Sequence, residues 1–237
     1  LIGEKAFNGC TALEFIDLPS TLKKINNGLF YKCSSLREIQ IPSSVTEIGN
    51  NSFGYCSGLT QIVIPPSVTK IGNMAFDECI PLAQITLPNS LLEIGQYAFR
   101  GCIALKQIDI PSSVTKIKEG AFCACETLSQ IKIPESVTEV DDNVFGHCKL
   151  LKELPIHSLI TSIGNSSFCK CDSLTEITIP PYIKSIGTYA FFNCQSLSKV
   201  TILTPLKSTP KYIFFGCGKL KEIIFPSSIT KIGEGTF

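Results

Sequence analysis

Twelve cysteines are the first residues in this chain that could do chemistry, and ten of them stand in a row. Cys10, Cys33, Cys56, Cys79, Cys102, Cys125, Cys148, Cys171, Cys194 and Cys217 follow one another at 23-residue steps. Such a row could be disulfides, a metal site or neither. If the chain stacks with this period, equivalent Cβ atoms in successive coils lie about 4.8 Å apart with parallel vectors, against about 3.5–4.5 Å in a disulfide. Tetrahedral metal ligation needs converging ligands, and a straight row does not converge. The row is therefore predicted to be reduced and buried, each thiol a small hydrophobe with a weak donor. Cys123 and Cys169 are extra, each two residues before a member of the row. At two coils apart, about 10 Å, they are too distant to bridge.

A second row, Thr21, Ser44, Ser67, Ser90, Ser113, Ser136 and Ser228, is placed to bond the backbone of the next coil. That role is structural, because no histidine recurs beside it. His147 and His157 are the two histidines; the first is expected on the surface of a turn, the second as a variant in a proline column. Metalloprotease, nucleophile-elbow, phosphate-loop and dinucleotide motifs are absent, and the acidic residues are spread along the chain. The sequence predicts no enzyme, no metal site and no cofactor.

The elements that carry these rows are organised by a column of phenylalanines: Phe7, Phe30, Phe53, Phe76, Phe99, Phe122, Phe145, Phe168, Phe191, Phe214 and Phe237, 23 residues apart without insertion or deletion. A fixed period in the range of about 20–50 residues marks a stacked-repeat fold, and about 20–29 is the leucine-rich-repeat window. In each unit an alternation such as Ile39-x-Ile41 predicts a short strand, and proline closes it in eight of ten units (Pro19, Pro42, Pro65, Pro88, Pro111, Pro134, Pro180, Pro226). A second extended piece such as Val45–Ile48 ends at Gly49 or an equivalent (Gly3, Gly72, Gly95, Gly164, Gly187, Gly233), where a positive-φ turn is expected. The Ala-Phe-x-x-Cys stretch reads as a single helical or 3₁₀ turn. Stacking pairs the main strands in parallel in a body on the order of 50 Å long. The pattern breaks at Pro155–Leu159, where a proline enters the strand, and at Leu203–Pro210, where the proline, isoleucine and glycine columns fail together.

The unit Ile39-x-Ile41-Pro42-x-Ser44-Val45-Thr46-x-Ile48-Gly49 followed by Phe53-x-x-Cys56 resembles the BspA-like (Treponema-type) leucine-rich repeat, and the resemblance covers essentially the whole chain. It implies a right-handed, β-rich solenoid of about ten repeats over 1–237, with a parallel sheet on the concave side. It also implies a surface or secreted protein of a host-associated bacterium or parasitic protist. The role it implies is attachment to a host or self surface protein, peptide or glycan. The resemblance carries no catalytic residues over.

If Ile16 and Leu18 and their equivalents point inward, their neighbours point out. One outward column runs Phe15, Glu38, Gln61, Gln84, Gln107, Gln130, Glu153, Glu176, Lys199, Glu222; the next includes Gln40, Val63, Asp109 and Lys132. Glu38, Gln40, Gln61, Gln84, Gln107, Asp109, Gln130 and Lys132 form the predicted ligand-binding platform. The four glutamines could bond one another as an amide ladder, a reading compatible with binding because a rigid ladder costs little entropy to engage. Phe192 and Phe215, with Tyr189 and Tyr212 nearby, are candidates for an edge contact or a locally thicker core. Asn50-Asn51-Ser52 and Asn165-Ser166-Ser167 fit glycosylation sequons, relevant only in a eukaryotic secretory pathway.

Composition narrows the partners. With 44% hydrophobic and 17% charged residues the chain is neither disordered nor highly charged, and a net charge of +1 with no basic patch argues against nucleic acid or an anionic membrane. No run reaches the roughly 18 apolar residues that span a bilayer. The repeat pattern is cut at both termini and shows no capping unit, so a segment of a longer protein is expected. A rigid spacer or display scaffold is the competing function.

Overall fold

A computed structural model describes residues 2–237; Leu1, which opens the first partial repeat, lies outside the described residues. The chain is a β-solenoid with a 23-residue coil, and residues pair one period apart: Lys24 with Glu47, Gln61 with Gln84, Glu176 with Lys199. Two lines of strands run along it. Lys24–Ile25, Glu47–Ile48, Lys70–Ile71, Glu93–Ile94 and Lys116–Ile117 form a five-stranded parallel sheet in chain order. Glu139–Val140, Ser162–Ile163 and Ser185–Ile186 form a further three-stranded one. The main strands pair as Gln61–Val63 with Gln84–Thr86, as Gln107–Asp109 with Gln130–Lys132, and as the trio Glu176–Ile179, Lys199–Ile202 and Glu222–Ile224.

The main sheet is less continuous than the sequence pattern suggests. Residues 16–18, 39–41 and 151–156 belong to no strand. In the last of these Pro155 lacks an N–H, and the Ile156 N–H turns back to the Leu154 carbonyl at 2.8 Å instead of reaching a neighbouring coil.

The expected helical turn is also not a helix. Around Phe30 the chain makes two successive three-residue closures, Tyr31 N–H to Gly28 O at 3.2 Å and Cys33 N–H to Phe30 O at 3.0 Å. They are flanked by left-handed residues, Gly28 at φ 60° and Lys32 at φ 61°. A left-handed residue at every fourth position stops a right-handed helix from propagating. The freed N–H groups bond the next coil, as from Gly28 to Asn50, Phe30 to Ser52 and Lys32 to Gly54, each at 2.8 Å. The turns thus stack as a third ladder.

The glycine column needs a different explanation from the predicted one. Gly49, Gly72 and Gly95 are not among the positive-φ residues. A Cβ on Gly49 would lie 2.7 Å from the Ile25 carbonyl oxygen, and one on Gly95 2.5 Å from the Gly72 carbonyl carbon. The missing side chain lets one coil's backbone settle on the last.

The phenylalanines form the spine. Their rings stack at centroid separations from 5.3 Å (Phe53–Phe76) to 6.5 Å (Phe214–Phe237), with Phe30 to Phe214 buried. Each contributes about 1.5–3 kcal/mol of transfer free energy. Phe30 to Phe214 belong to one continuous apolar cluster that runs from Leu22 to Cys217, with Phe7 packed against it.

The five-stranded sheet carries a charge pattern that the sequence reading passed over: Lys24, Glu47, Lys70, Glu93 and Lys116 alternate in register. Lys24 pairs Glu47 at 3.1 Å, and Glu93 takes Lys70 at 3.8 Å and Lys118 at 2.8 Å. The Lys118 hydrogen bond holds the Glu93 carboxyl below the usual carboxylate range. Glu47→Lys would set like charge beside both Lys24 and Lys70. At about 0.2–1 kcal/mol per opposed pair, a lower urea midpoint is expected at low salt, and the loss should shrink near 1 M salt. A salt-independent loss would show that the alternation is incidental.

Candidate functional site

The eight predicted platform residues lie on one face. Glu38, Gln40, Gln61 and Gln84 line an open depression of about 650 Å³ together with Phe15, Val63, Pro65 and Thr86. Gln107, Asp109, Gln130 and Lys132 line a second, of about 370 Å³, which continues over Lys152, Glu153 and Pro155. All eight side chains are exposed, while Ile62 and Ile108 are 4% exposed; strand alternation aims six of the eight outward, and Glu38 and Gln40 face out from chain that joins no strand. The second depression ends where the main strand is lost at 151–156.

The amide ladder does not form. Among the described residues the glutamine side chains that hydrogen-bond are Gln96 and Gln195, and none joins Gln61, Gln84, Gln107 and Gln130 to one another. Their donors and acceptors face outward unused.

The thiol row is structural, and in a way that the sequence did not reveal. From Cys33 onward each Sγ–H of the row donates to the carbonyl of the phenylalanine 26 residues earlier: Cys33 to Phe7 at 3.0 Å, Cys56 to Phe30 at 3.1 Å, Cys102 to Phe76 at 3.2 Å, and so on to Cys217 and Phe191 at 3.2 Å. The Phe30 carbonyl therefore accepts from both Cys33 N–H and Cys56 Sγ–H. All twelve thiols are free, and Cys10 is exposed.

Burial pushes the Cys33 thiol up to about 11 and Cys79 to about 12. The proton that each donates is thus held more tightly than in the unfolded chain, where a thiol ionises near 8.5. A raised folded pKa contributes stability that is complete below the unfolded value and is lost as pH rises through the folded one. Thermal stability should therefore fall between about pH 8.5 and 12, and a thiol reagent at neutral pH should modify Cys10 far faster than the buried row. Flat stability across that range would remove the thiols from the account.

The serine row bonds the preceding coil, not the next: Ser67 Oγ to Val45 O at 2.5 Å, Ser90 to Val68 O at 2.7 Å, Ser113 to Leu91 O at 2.7 Å. In the irregular coil Thr204 substitutes, donating to the Ile183 carbonyl. His157 replaces a proline and bonds the Pro134 carbonyl through Nε2 at 3.0 Å, while its Nδ1 accepts from Leu159 N–H at 3.3 Å. Those two bonds hold the ring in place between two coils. His147 lies in a turn at φ 63°, its pKa lowered by burial and then by Lys170 and Lys149. Cys123 and Cys169 are separated by Asn143, whose Nδ2 donates to Cys123 Sγ at 3.4 Å and whose Oδ1 lies 3.9 Å from Cys169 Sγ. Among the described residues no cluster of three or more metal-ligating side chains occurs.

Phe192 and Phe215 belong to a four-ring group on the turn edge. Tyr189 stacks on Tyr212 at 4.9 Å and Phe192 on Phe215 at 5.7 Å, with edge contacts between the two pairs. Phe215 is 43% exposed. The sequons sit in a further ladder that the sequence reading missed. Asn27 Oδ1 accepts from Asn50 N–H at 2.9 Å, Asn50 Oδ1 from Asn73 N–H at 2.8 Å, and Asn165 Oδ1 from Thr188 N–H at 2.9 Å. The recurrence of Asn27, Asn50 and Asn73 at the coil period was the available signal.

The family model for the BspA type leucine rich repeat region matches residues 1–103, 46–171 and 138–237. The chain belongs to this family. It is similar to a leucine-rich repeat protein from Bacteroides ovatus, at 31% identity and TM-score 0.84, over 99% of this chain and 66% of that one. It is also similar to a leucine rich cell surface protein from Faecalibacterium prausnitzii, at 29% identity and TM-score 0.67, over 94% of this chain and 62% of that one. The pneumococcal vaccine antigen PcpA shares the fold at 17% identity and TM-score 0.62, over 93% of this chain and 56% of that one. The chain thus spans less than two thirds of each of these solved chains. Comparison with curated proteins gave no match. No helix among the described residues is long and apolar enough to cross a membrane.

Proposed function

We propose that this chain is a non-catalytic recognition module of a surface-attached or secreted protein, docking its partner along the main-strand face. The observation that supports it most is the concentration of exposed polar side chains without internal partners, Gln61, Gln84, Gln107 and Gln130, over two adjoining depressions. Other rows on the molecule, of thiol, serine and asparagine, are occupied with backbone bonds between coils. The four glutamines of the main-strand row are not, although Lys199 and Glu222 farther along it pair at 3.1 Å, and these amides are free to engage a partner at little ordering cost because the sheet below is rigid. A solenoid commonly presents such an extended surface. The relative from Faecalibacterium prausnitzii is named as a cell surface protein, which agrees with this placement.

The test is attachment of beads coated with the 237-residue chain to epithelial cell monolayers. Gln84→Arg with Gln107→Arg is expected to reduce attachment several-fold without moving the unfolding midpoint. Unchanged attachment, together with loss in Phe192→Ala with Phe215→Ala, would transfer the site to the turn edge. The unbroken ring stack favours a second reading, a rigid spacer. In that case removal of 23 residues would leave attachment intact.

A further inference from the structure

The glutamine row also bears on the chemistry of the ligand, and this inference rests on the recognition reading above. Gln61 pairs in register with Gln84, and Gln107 with Gln130, on hydrogen-bonded strands. Each amide offers two donors and an acceptor, and coils paired in this way recur about every 4.8 Å. An occupant lying along the solenoid axis must therefore present a donor and acceptor set at nearly that repeat or at a whole multiple of it.

An extended peptide does not. Its same-side groups recur every two residues, about 6.4–6.8 Å, so it falls out of step with the row within two coils. A peptide or protein partner also draws its affinity from anchor side chains in desolvated pockets. Here Ile62 and Ile108 are only 4% exposed and Ile85 and Ile131 are partly buried, so the floor offers two shallow depressions in place of a deep anchor pocket. The row itself is uncharged, which gives an anionic polymer no purchase. At its head, two coils before Gln61 in the same column, Phe15 is 56% exposed, and Val63 beside the row is 66% exposed. Both supply apolar surface without competing for hydrogen bonds.

We propose that the row binds a linear, uncharged glycan laid along the solenoid axis. Rings in an extended β-1,4 chain recur close to the coil spacing, and because alternate rings are flipped, equivalent same-side hydroxyls recur at close to two coils, which keeps the chain in step with the row. Hydroxyls are both donors and acceptors, as the amides are. The C–H faces of the rings would rest on Phe15 and Val63.

The experiment is calorimetric titration of the 237-residue chain with cellohexaose, mannohexaose and chitohexaose, each beside its disaccharide. At least one hexaose is expected to bind, with its disaccharide at least tenfold weaker. Gln84→Ala with Gln107→Ala should weaken hexaose binding at least tenfold while circular dichroism and the unfolding midpoint stay unchanged, because neither amide bonds within the chain. Phe15→Ala should weaken it as well. Failure of all three hexaoses overturns the glycan assignment, as does wild-type affinity in the glutamine variant. If no hexaose binds but bead attachment still falls in the arginine variant, only the ligand class is wrong. If attachment is also unaffected there, the recognition face is wrong too.

Discussion

Phe122→Ala is expected to destabilise the chain by about 3–5 kcal/mol. Phe122 is fully buried, with Phe99 stacked at 5.5 Å on one side and Phe145 at 6.0 Å on the other. Removing it opens a void between two coils whose separation is fixed by backbone ladders, so the neighbours cannot close over it. Phe7→Ala should cost much less, because Phe7 is partly exposed and its ring stacks on Phe30 alone among the described residues. The difference follows from one-dimensional stacking, in which each coil is held by its two neighbours. Urea unfolding of both variants measures it, and equal losses would contradict a linear core.

The second large effect is expected at a residue with no side chain. Gly95→Ala would put a Cβ 2.5 Å from the Gly72 carbonyl carbon and 2.7 Å from Asn73 N. Both contacts are backbone, and no rotamer change relieves them. The coils must part, which weakens the pairing of Glu93 with Lys70 and Lys116 on either side. A loss of about 1–3 kcal/mol is expected, in the range of overpacked cores. Gly3→Ala is the control, because nothing lies within 4 Å of its added Cβ; it should change stability by less than about 0.5 kcal/mol. Gly95→Asn separates the two explanations of the column. If a left-handed backbone were the requirement, asparagine would be tolerated; if close approach is, asparagine will be at least as damaging as alanine.

That glycine column shows where sequence reasoning reaches its limit in a repeat protein. The period, the buried phenylalanines, the outward glutamines and the parallel register were all legible, because stacking turns spacing directly into neighbourhood. A glycine at a fixed place in every coil says that a side chain is forbidden there. It does not say whether dihedral angle or space forbids it. The left-handed positions fall instead at the ends of the turn, where Gly28 or Asn143 hints at them but Met74, Tyr97 and Lys170 are of types that do not. They are imposed by coil-to-coil hydrogen bonds, as is the replacement of the expected helical turn by stacked closures. The thiol ladder was hidden for a similar reason: the Cys56 partner is the Phe30 carbonyl, and carbonyls carry no sequence signal. On the candidate face the direction of each side chain could be read from strand alternation. The free state of the amides could not, since an amide ladder and an open row have the same sequence.

The most direct test of the stacked fold is hydrogen exchange of the phenylalanine amides, each of which bonds the following coil: Phe30 to Ser52 O at 2.8 Å, Phe76 to Ala98 O at 2.8 Å, Phe122 to Val144 O at 3.0 Å, Phe168 to Ala190 O at 2.9 Å. Protection should be highest at Phe99, Phe122 and Phe145 and decline stepwise toward Phe30 and Phe214, as expected of coils that open from their ends. Rapid exchange at Phe122 while Phe30 and Phe214 stay protected would contradict a single continuous stack.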